Sequence, residues 1–163
     1  MIDHQKDILA ILDEDSRTDA GKIATMLGVT KEQAQKAIKA LEDSGVIVKY
    51  TTIVNPDMVE EDTVEALIEV KVTPQRGAGF DAIAQEIAEH DEVKNLYLMS
   101  GAYDLAVIVE GKSLRSISRF VSERISTYES VISTATHFIL KKYKVEGALM
   151  KKHEENARLS IQP

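Results

Sequence analysis

The chain contains no cysteine, which excludes disulfide staples and thiolate chemistry. No apolar run approaches the length needed to cross a bilayer, and residues 1–10 do not follow a signal-peptide pattern, so a cytosolic protein is expected. Histidine is sparse: His4, His90, His137 and His153 are scattered with no pair at ligand spacing, so no metal site is expected and each histidine reads as solvated or on a strand surface. No nucleophile and base stand at a catalytic spacing, and there is no glycine loop suited to cradling phosphate, which argues against an enzyme. Positive charge is also in deficit, with 20 Lys+Arg against 27 Asp+Glu and a net charge of -7. The deficit is shared: residues 1–50 carry 7 basic and 9 acidic groups (-2), and the remainder 13 and 18 (-5). A protein that simply coats nucleic acid is excluded by this balance, because clustered cations drive such binding. Any DNA contact must come from a local patch, with the acidic groups facing elsewhere.

What is present is a chain of 163 residues, long enough for one medium domain or two small ones with an adequate apolar core. Residues 30–45 read as a complete helix. Thr30 is placed to cap its start with Gln33 as the reciprocal partner, Ala34, Ala37, Ile38 and Leu41 form a narrow buried stripe, and Gly45 ends it. Lys31, Gln35, Lys36 and Lys39 fall on other faces. A short helix with small inward residues and basic or amide groups outward suits a major groove.

The neighbouring residues fit that role. Asp3 can cap a first helix with Ile8, Leu9, Ile11 and Leu12 as its apolar band, and a second helix runs from Asp19 through Ala20, Ile23, Ala24 and Leu27 to Gly28. Two short helices joined by a tight glycine turn match a helix-turn-helix unit. The β-branched run that follows, residues 46–54, suits a wing or strand. A three-helix bundle used only for packing or protein contact fits the same pattern.

Asn55, Pro56 and Asp57 signal a turn, and the acidic residues 59–63 read as a boundary. The hydrophobic period then changes. Residues 64–73 alternate, with Ala66, Ile68, Val70 and Val72 on one face; Phe80, Ile83, Ala84, Ile87 and Ala88 mark a helix; residues 93–99 and 105–109 read as an antiparallel hairpin. Ser113 can cap a helix carrying Leu114, Ile117, Phe120, Val121 and Ile125, and residues 131–140 alternate as a last strand. The order βαββαβ predicts an α+β, ferredoxin-like sheet with both helices on one side and the other face uncovered. Apolar groups on that face require a partner, and a second copy is the simplest one. Leu67 and the set Thr134, Thr136, Phe138 and Leu140 remain to be sorted between the faces. Lys141, Lys142 and Lys144 open a basic tail that reads as frayed by default, with a short surface helix as the other reading of residues 149–155; the lysine run reads as solvation, with an auxiliary contact to the DNA backbone as its alternative.

An N-terminal helix-turn-helix, an extended linker and a βαββαβ domain with Gly-x-Tyr-Asp in its central hairpin resemble the Lrp/AsnC, or feast/famine, transcription regulators of bacteria and archaea. The resemblance rests on residues 2–12, 23–30, 41–47, Tyr50, residues 100–105 and residues 133–136, and covers nearly the whole chain. It implies a winged helix-turn-helix DNA-binding domain over 1–54, a linker over 55–63, an effector and dimerisation domain over 64–145 and a tail over 146–163. It further implies a cytoplasmic, sequence-specific regulator of double-stranded DNA that dimerises, assembles further into octamers or other groups of dimers, and answers to a small amino acid. No cofactor, metal or membrane partner is implied.

By the same resemblance, Thr30, Lys31, Gln33, Gln35, Lys36, Lys39 and Lys49 are the DNA-binding candidates. The effector candidates are Met99, Gly101, Tyr103, Asp104, Thr134 and Thr136, near the central hairpin and between dimers. Their chemistry suits a zwitterion: N–H groups near Gly101 and the threonine hydroxyls for a carboxylate, Asp104 for an ammonium. Turn chemistry explains Gly101 and Asp104 equally well, and Tyr103 reads as packing at a subunit interface. Two departures from the family stand out. The reading helix has no arginine, so bidentate guanine recognition is not available from it, while Gln35 can read adenine; and the tail is longer. The alternative function is an amino-acid-binding oligomeric module with weak or no specific DNA binding.

Overall fold

The computed structural model describes residues 4–59, 63–74 and 79–151. The chain divides into two compact units, Met1–Val54 and Asn55–Pro163.

In the first unit α1 (Gln5–Glu14), α2 (Ala20–Leu27) and α3 (Lys31–Asp43) bury Ile8, Leu12, Ile23, Ala24, Ala34, Ala37 and Leu41 together. The cap expected at Asp3 lies outside the described residues. His4 occupies the N-cap position without a capping bond, and its Nδ1 instead lies 3.2 Å from Asp7 Oδ2. After α3, Gly45 adopts φ +73°, a left-handed conformation that turns the chain so that Ile47 N–H donates to Leu41 C=O at 3.0 Å. The run expected as a wing or strand finds no strand partner among the described residues. Val46, Val48, Tyr50, Ile53 and Val54 are all exposed, Val48 at 86%.

The second unit is the expected βαββαβ. It comprises β1 (Val64–Val72), α4 (Asp81–Ala88), β2 (Val93–Leu98), β3 (Leu105–Gly111), α5 (Leu114–Glu123) and β4 (Val131–Ile139), in an antiparallel sheet of order β2-β3-β1-β4. Ala66, Ile68 and Val70 of β1 stand opposite Val109, Val107 and Leu105 of β3, and all six are buried against Ile83, Ile87, Ile117, Phe120 and Val121 of the two helices. One sheet face is thus covered. Position-by-position pairing assigns the other face: Leu67, Glu69 and Lys71 of β1, Ala106 and Ile108 of β3, Tyr97 of β2, and Ser133, Ala135, His137 and Ile139 of β4. Tyr97 is 51% exposed there, and Leu67, Ile108 and Ile139 are half-buried.

The register settles the unsorted residues. Thr134, Thr136 and Phe138 lie opposite Val70, Ile68 and Ala66, so they share the helix-covered face, while Leu67 is on the open one. Leu140 falls beyond β4 and is 96% exposed. Most of the stretch expected as a short helix, residues 149–155, lies outside the described part, which ends at residue 151. Before it stands a hairpin not expected from the sequence, in which β5 (Lys144–Val145) pairs with β6 (Ala148–Leu149). The reason is the two-residue connection, where Glu146 at φ 44° and Gly147 at φ 81° are both left-handed, the requirement of a type I′ hairpin turn.

Candidate functional site

Two groups of residues carry the functional candidates, one in each unit. In the first, α2 and α3 are held by paired caps. Asp19 accepts from Gly21 N–H at 2.8 Å and Lys22 N–H at 3.2 Å, and these two backbone donors hold its carboxyl below the ordinary aspartate range. Gly28 closes α2 at φ +67°. Thr30 Oγ1 then accepts Gln33 N–H at 3.2 Å, and Gln33 Oε1 accepts Thr30 N–H at 2.9 Å, a complete capping box. Because the inward positions of α3 are Ala34, Ala37 and Leu41, its opposite side presents Lys31, Gln35 and Lys36 to solvent.

The other DNA-binding candidates sit differently. Thr30 and Gln33 have their side-chain oxygens engaged in the cap. Lys39 is exposed but paired with Asp43 at 3.2 Å, and Lys49 is exposed in the run after the helix. Tyr50 ties that run back to α3: its hydroxyl donates to Glu42 Oε1 at 2.8 Å. Partial burial first, and then this bond, raise the Tyr50 pKa. No periodicity signals such a contact.

In the second unit the loop between β2 and β3 is closed by Met99 N–H donating to Asp104 C=O at 2.7 Å. Asp104 N–H donates to Val70 C=O at 3.1 Å, and its carboxylate Oδ2 accepts from Val72 N–H at 2.9 Å. Asp104 therefore finishes the β1 ladder, a task that turn statistics do not disclose. Gly101 has neither a positive φ nor any atom of the described residues within 4 Å of where a Cβ would stand, so nothing among them requires glycine there. Met99 is 40% exposed and Tyr103 half-buried. Thr134 is level with Leu105, each paired to Val70 from opposite sides of β1; two strand spacings separate them, about 10 Å. Its hydroxyl lies 3.5 Å from Ser126 Oγ, on the helix side.

Two concavities mark this unit. One of about 350 Å³ lies between α4 and β2, lined by Asp81, Gln85, Lys94 and Asn95 among others, and one of about 430 Å³ runs along α5 beside Arg115, Arg119 and Arg124. None of the six effector candidates lines either. His90, expected in solvent or on a strand, is instead packed at the end of α4: Nε2 is 3.0 Å from Tyr128 Oη, and the ring meets Phe120 edge-on at 5.3 Å. Burial raises the Tyr128 pKa. Among the described residues no group of His, Asp and Glu is arranged to hold a metal, and no helix is long and apolar enough to cross a membrane.

Comparison with known proteins finds one family match within each unit. Residues 65–149 match a family model described as the Lrp/AsnC ligand binding domain, and residues 3–48 one described as winged helix-turn-helix DNA-binding. An uncharacterized HTH-type transcriptional regulator of Bacillus subtilis, YugG, is 43% identical over 100% of this chain and 99% of its own length. The HTH-type transcriptional regulator LrpA of Pyrococcus horikoshii is 30% identical over 88% of this chain and 100% of its own length. Among solved structures, the transcriptional regulator NMB0573 of Neisseria meningitidis in an L-Met complex has a TM-score of 0.69 at 21% identity, covering 89% of this chain and 93% of that one.

Proposed function

This chain belongs to the Lrp/AsnC family of DNA-binding helix-turn-helix transcriptional regulators, and from that premise we propose that it reads operators through α3 under the control of a small amino acid. The observation that carries this reading is the capped α3 itself, with Lys31, Gln35 and Lys36 together on an exposed side backed by alanines. Gln35 is the base reader and can pair with an adenine edge, while Lys31, Lys36 and Lys49 hold phosphates. Lys39 takes part once its pairing with Asp43 opens, which costs little for an exposed pair. The relatives are regulators and not enzymes. A match of residues 3–48 to a DNA-binding model disfavours the alternative of an effector module without DNA function.

The amino acid lies against Met99, Gly101, Tyr103 and Asp104, with Thr134 and Thr136, on the helix-covered face of β4, as the remaining candidates. These residues line neither of the two concavities described above; the site we propose is completed by a second copy. The open sheet face around Tyr97, Leu67 and Ile108, and the unpaired run 46–54, support a dimer as the building block. The neisserial neighbour, itself in an L-Met complex, is consistent with an amino-acid effector. Binding between dimers shifts the assembly and so the spacing of paired α3 helices, which is how the effector alters operator affinity. The place of action is the cytoplasm.

Fluorescence anisotropy on operator and scrambled duplexes, with light scattering in a panel of amino acids, tests the scheme. Expected is preferential operator binding, and a change of mass and affinity with at least one amino acid. Equal affinity for scrambled DNA would refute the reading of α3, and indifference to the whole panel would refute the effector.

A further inference from the structure

The proposed operator reader is short of positive charge. Residues 1–54 hold 7 basic groups against 9 acidic ones, and α3 has no arginine. The opposite balance occurs in the hairpin after β4, where residues 141–151 contain four lysines and one glutamate in a chain of net charge -7. We propose that this hairpin is a second DNA contact, which holds the phosphate backbone of duplex DNA through Lys141, Lys144 and Lys151. The inference rests on the operator-binding reading given above and extends it to a different part of the chain.

Three features distinguish the hairpin from a solvated lysine run. It is built: the left-handed pair Glu146 and Gly147 sets its turn, Met150 N–H donates to Tyr143 C=O at 3.0 Å, and Asn55 Nδ2 donates to Lys151 C=O at 3.3 Å. It is anchored by a single lysine, since Lys142 forms a half-buried ion pair with Glu65 of β1. The remaining lysines are left for a ligand. Lys141, Lys144 and Lys151 are exposed, and none forms an ion pair among the described residues. Lys141 is held over the Tyr143 ring, 5.2 Å from its centroid, which limits the freedom lost when it meets an anion. Lysines act as point charges that favour phosphate without reading bases. The hairpin therefore adds affinity for any duplex and leaves sequence choice to α3.

The test uses the intact protein carrying K141Q, K144Q and K151Q together, with Lys142 left in place to keep the anchor. Anisotropy on operator and scrambled duplexes is recorded from 50 to 200 mM salt, beside circular dichroism and light scattering. Each phosphate contact contributes about 0.9 to the slope of log affinity against log salt. Three lost contacts lower that slope by about 2.7 for every protomer whose hairpin touches DNA, so across this salt range the wild type loses roughly 40-fold more affinity than the variant for each such protomer. The operator-to-scrambled ratio stays the same, and the matching lysine-to-arginine variant restores the slope. A wild type that binds operator while the glutamine variant keeps its slope and affinity overturns this proposal alone. A variant that loses oligomer mass at an unchanged slope makes the hairpin a protein contact and also overturns it. A wild type with no preference for operator is the separate failure of the α3 reading, and one that binds no duplex at all removes both.

Discussion

Replacing Thr30 with alanine removes the Oγ1 that accepts Gln33 N–H at 3.2 Å, and it leaves the reverse bond, Thr30 N–H to Gln33 Oε1 at 2.9 Å, on a partner that is no longer oriented. Loss of an N-cap side chain costs about 1 kcal/mol. Both residues are exposed, so water can take over the freed amide and the penalty stays near that value rather than reaching that of a buried orphan. For a unit of this size, about 1 kcal/mol lowers the melting temperature by roughly 4–8 °C. Hydrogen exchange is the more direct assay, because the bond is local: the amides of Gln33 and Ala34 should exchange about fivefold faster, with those near Leu41 much less affected. Gln33→Ala should cost less than Thr30→Ala, and the double variant less than the sum, since each change already disables its partner's bond. Operator affinity should fall with the exchange protection, because Lys31 and Gln35 stand in the first turns of α3. Unchanged exchange at Gln33 in T30A, or strict additivity in the double variant, would refute the capping argument.

Other perturbations test the remaining contacts. The Asp19 pKa is lower in the folded state than in the unfolded one; its contribution is therefore complete above the ordinary aspartate value near ~3.9 and fades as pH falls through the folded pKa. Asp19→Asn, which keeps the cap but not the titration, should flatten the acid edge of the first unit's unfolding curve, and an identical acid profile would count against the backbone-donor explanation. Gly101→Ala should fold normally, because no atom of the described residues lies within 4 Å of the new Cβ, yet weaken the change of mass that an amino acid produces; an unaltered response would remove Gly101 from the effector site. Asp104→Ala should cost about 1–2 kcal/mol by stripping Val72 N–H of its acceptor in a half-buried place. Asp104→Asn keeps an acceptor oxygen, so it should retain most of that stability in a denaturant titration, and it tests whether the charge itself meets the effector's ammonium.

Much of this protein follows from local chemistry and is legible in the sequence. The capping box of Thr30 and Gln33 and the glycine stops at Gly28 and Gly45 involve residues three or four apart, and the buried alternation of Ala66, Ile68, Val70 and Val72 is a strict period of two. The βαββαβ order then leaves little choice of sheet. What the sequence alone could not decide were contacts across long separations. Alternation along β4 defines two faces but not which one the helices cover; only the register of Thr134 against Val70 and Thr136 against Ile68 turns the threonines toward the helix layer. Asp104 meets Val72 across 32 positions, and His90 meets Tyr128 across 38. Neither pairing has a periodic signature, because each exists only once the strands and helices are packed. The last hairpin, with its lysines, was hidden for a different reason: its turn uses Glu146 at a left-handed φ, where sequence rules look for asparagine or aspartate, so pairing of β5 with β6 decided a conformation that residue preference did not foretell.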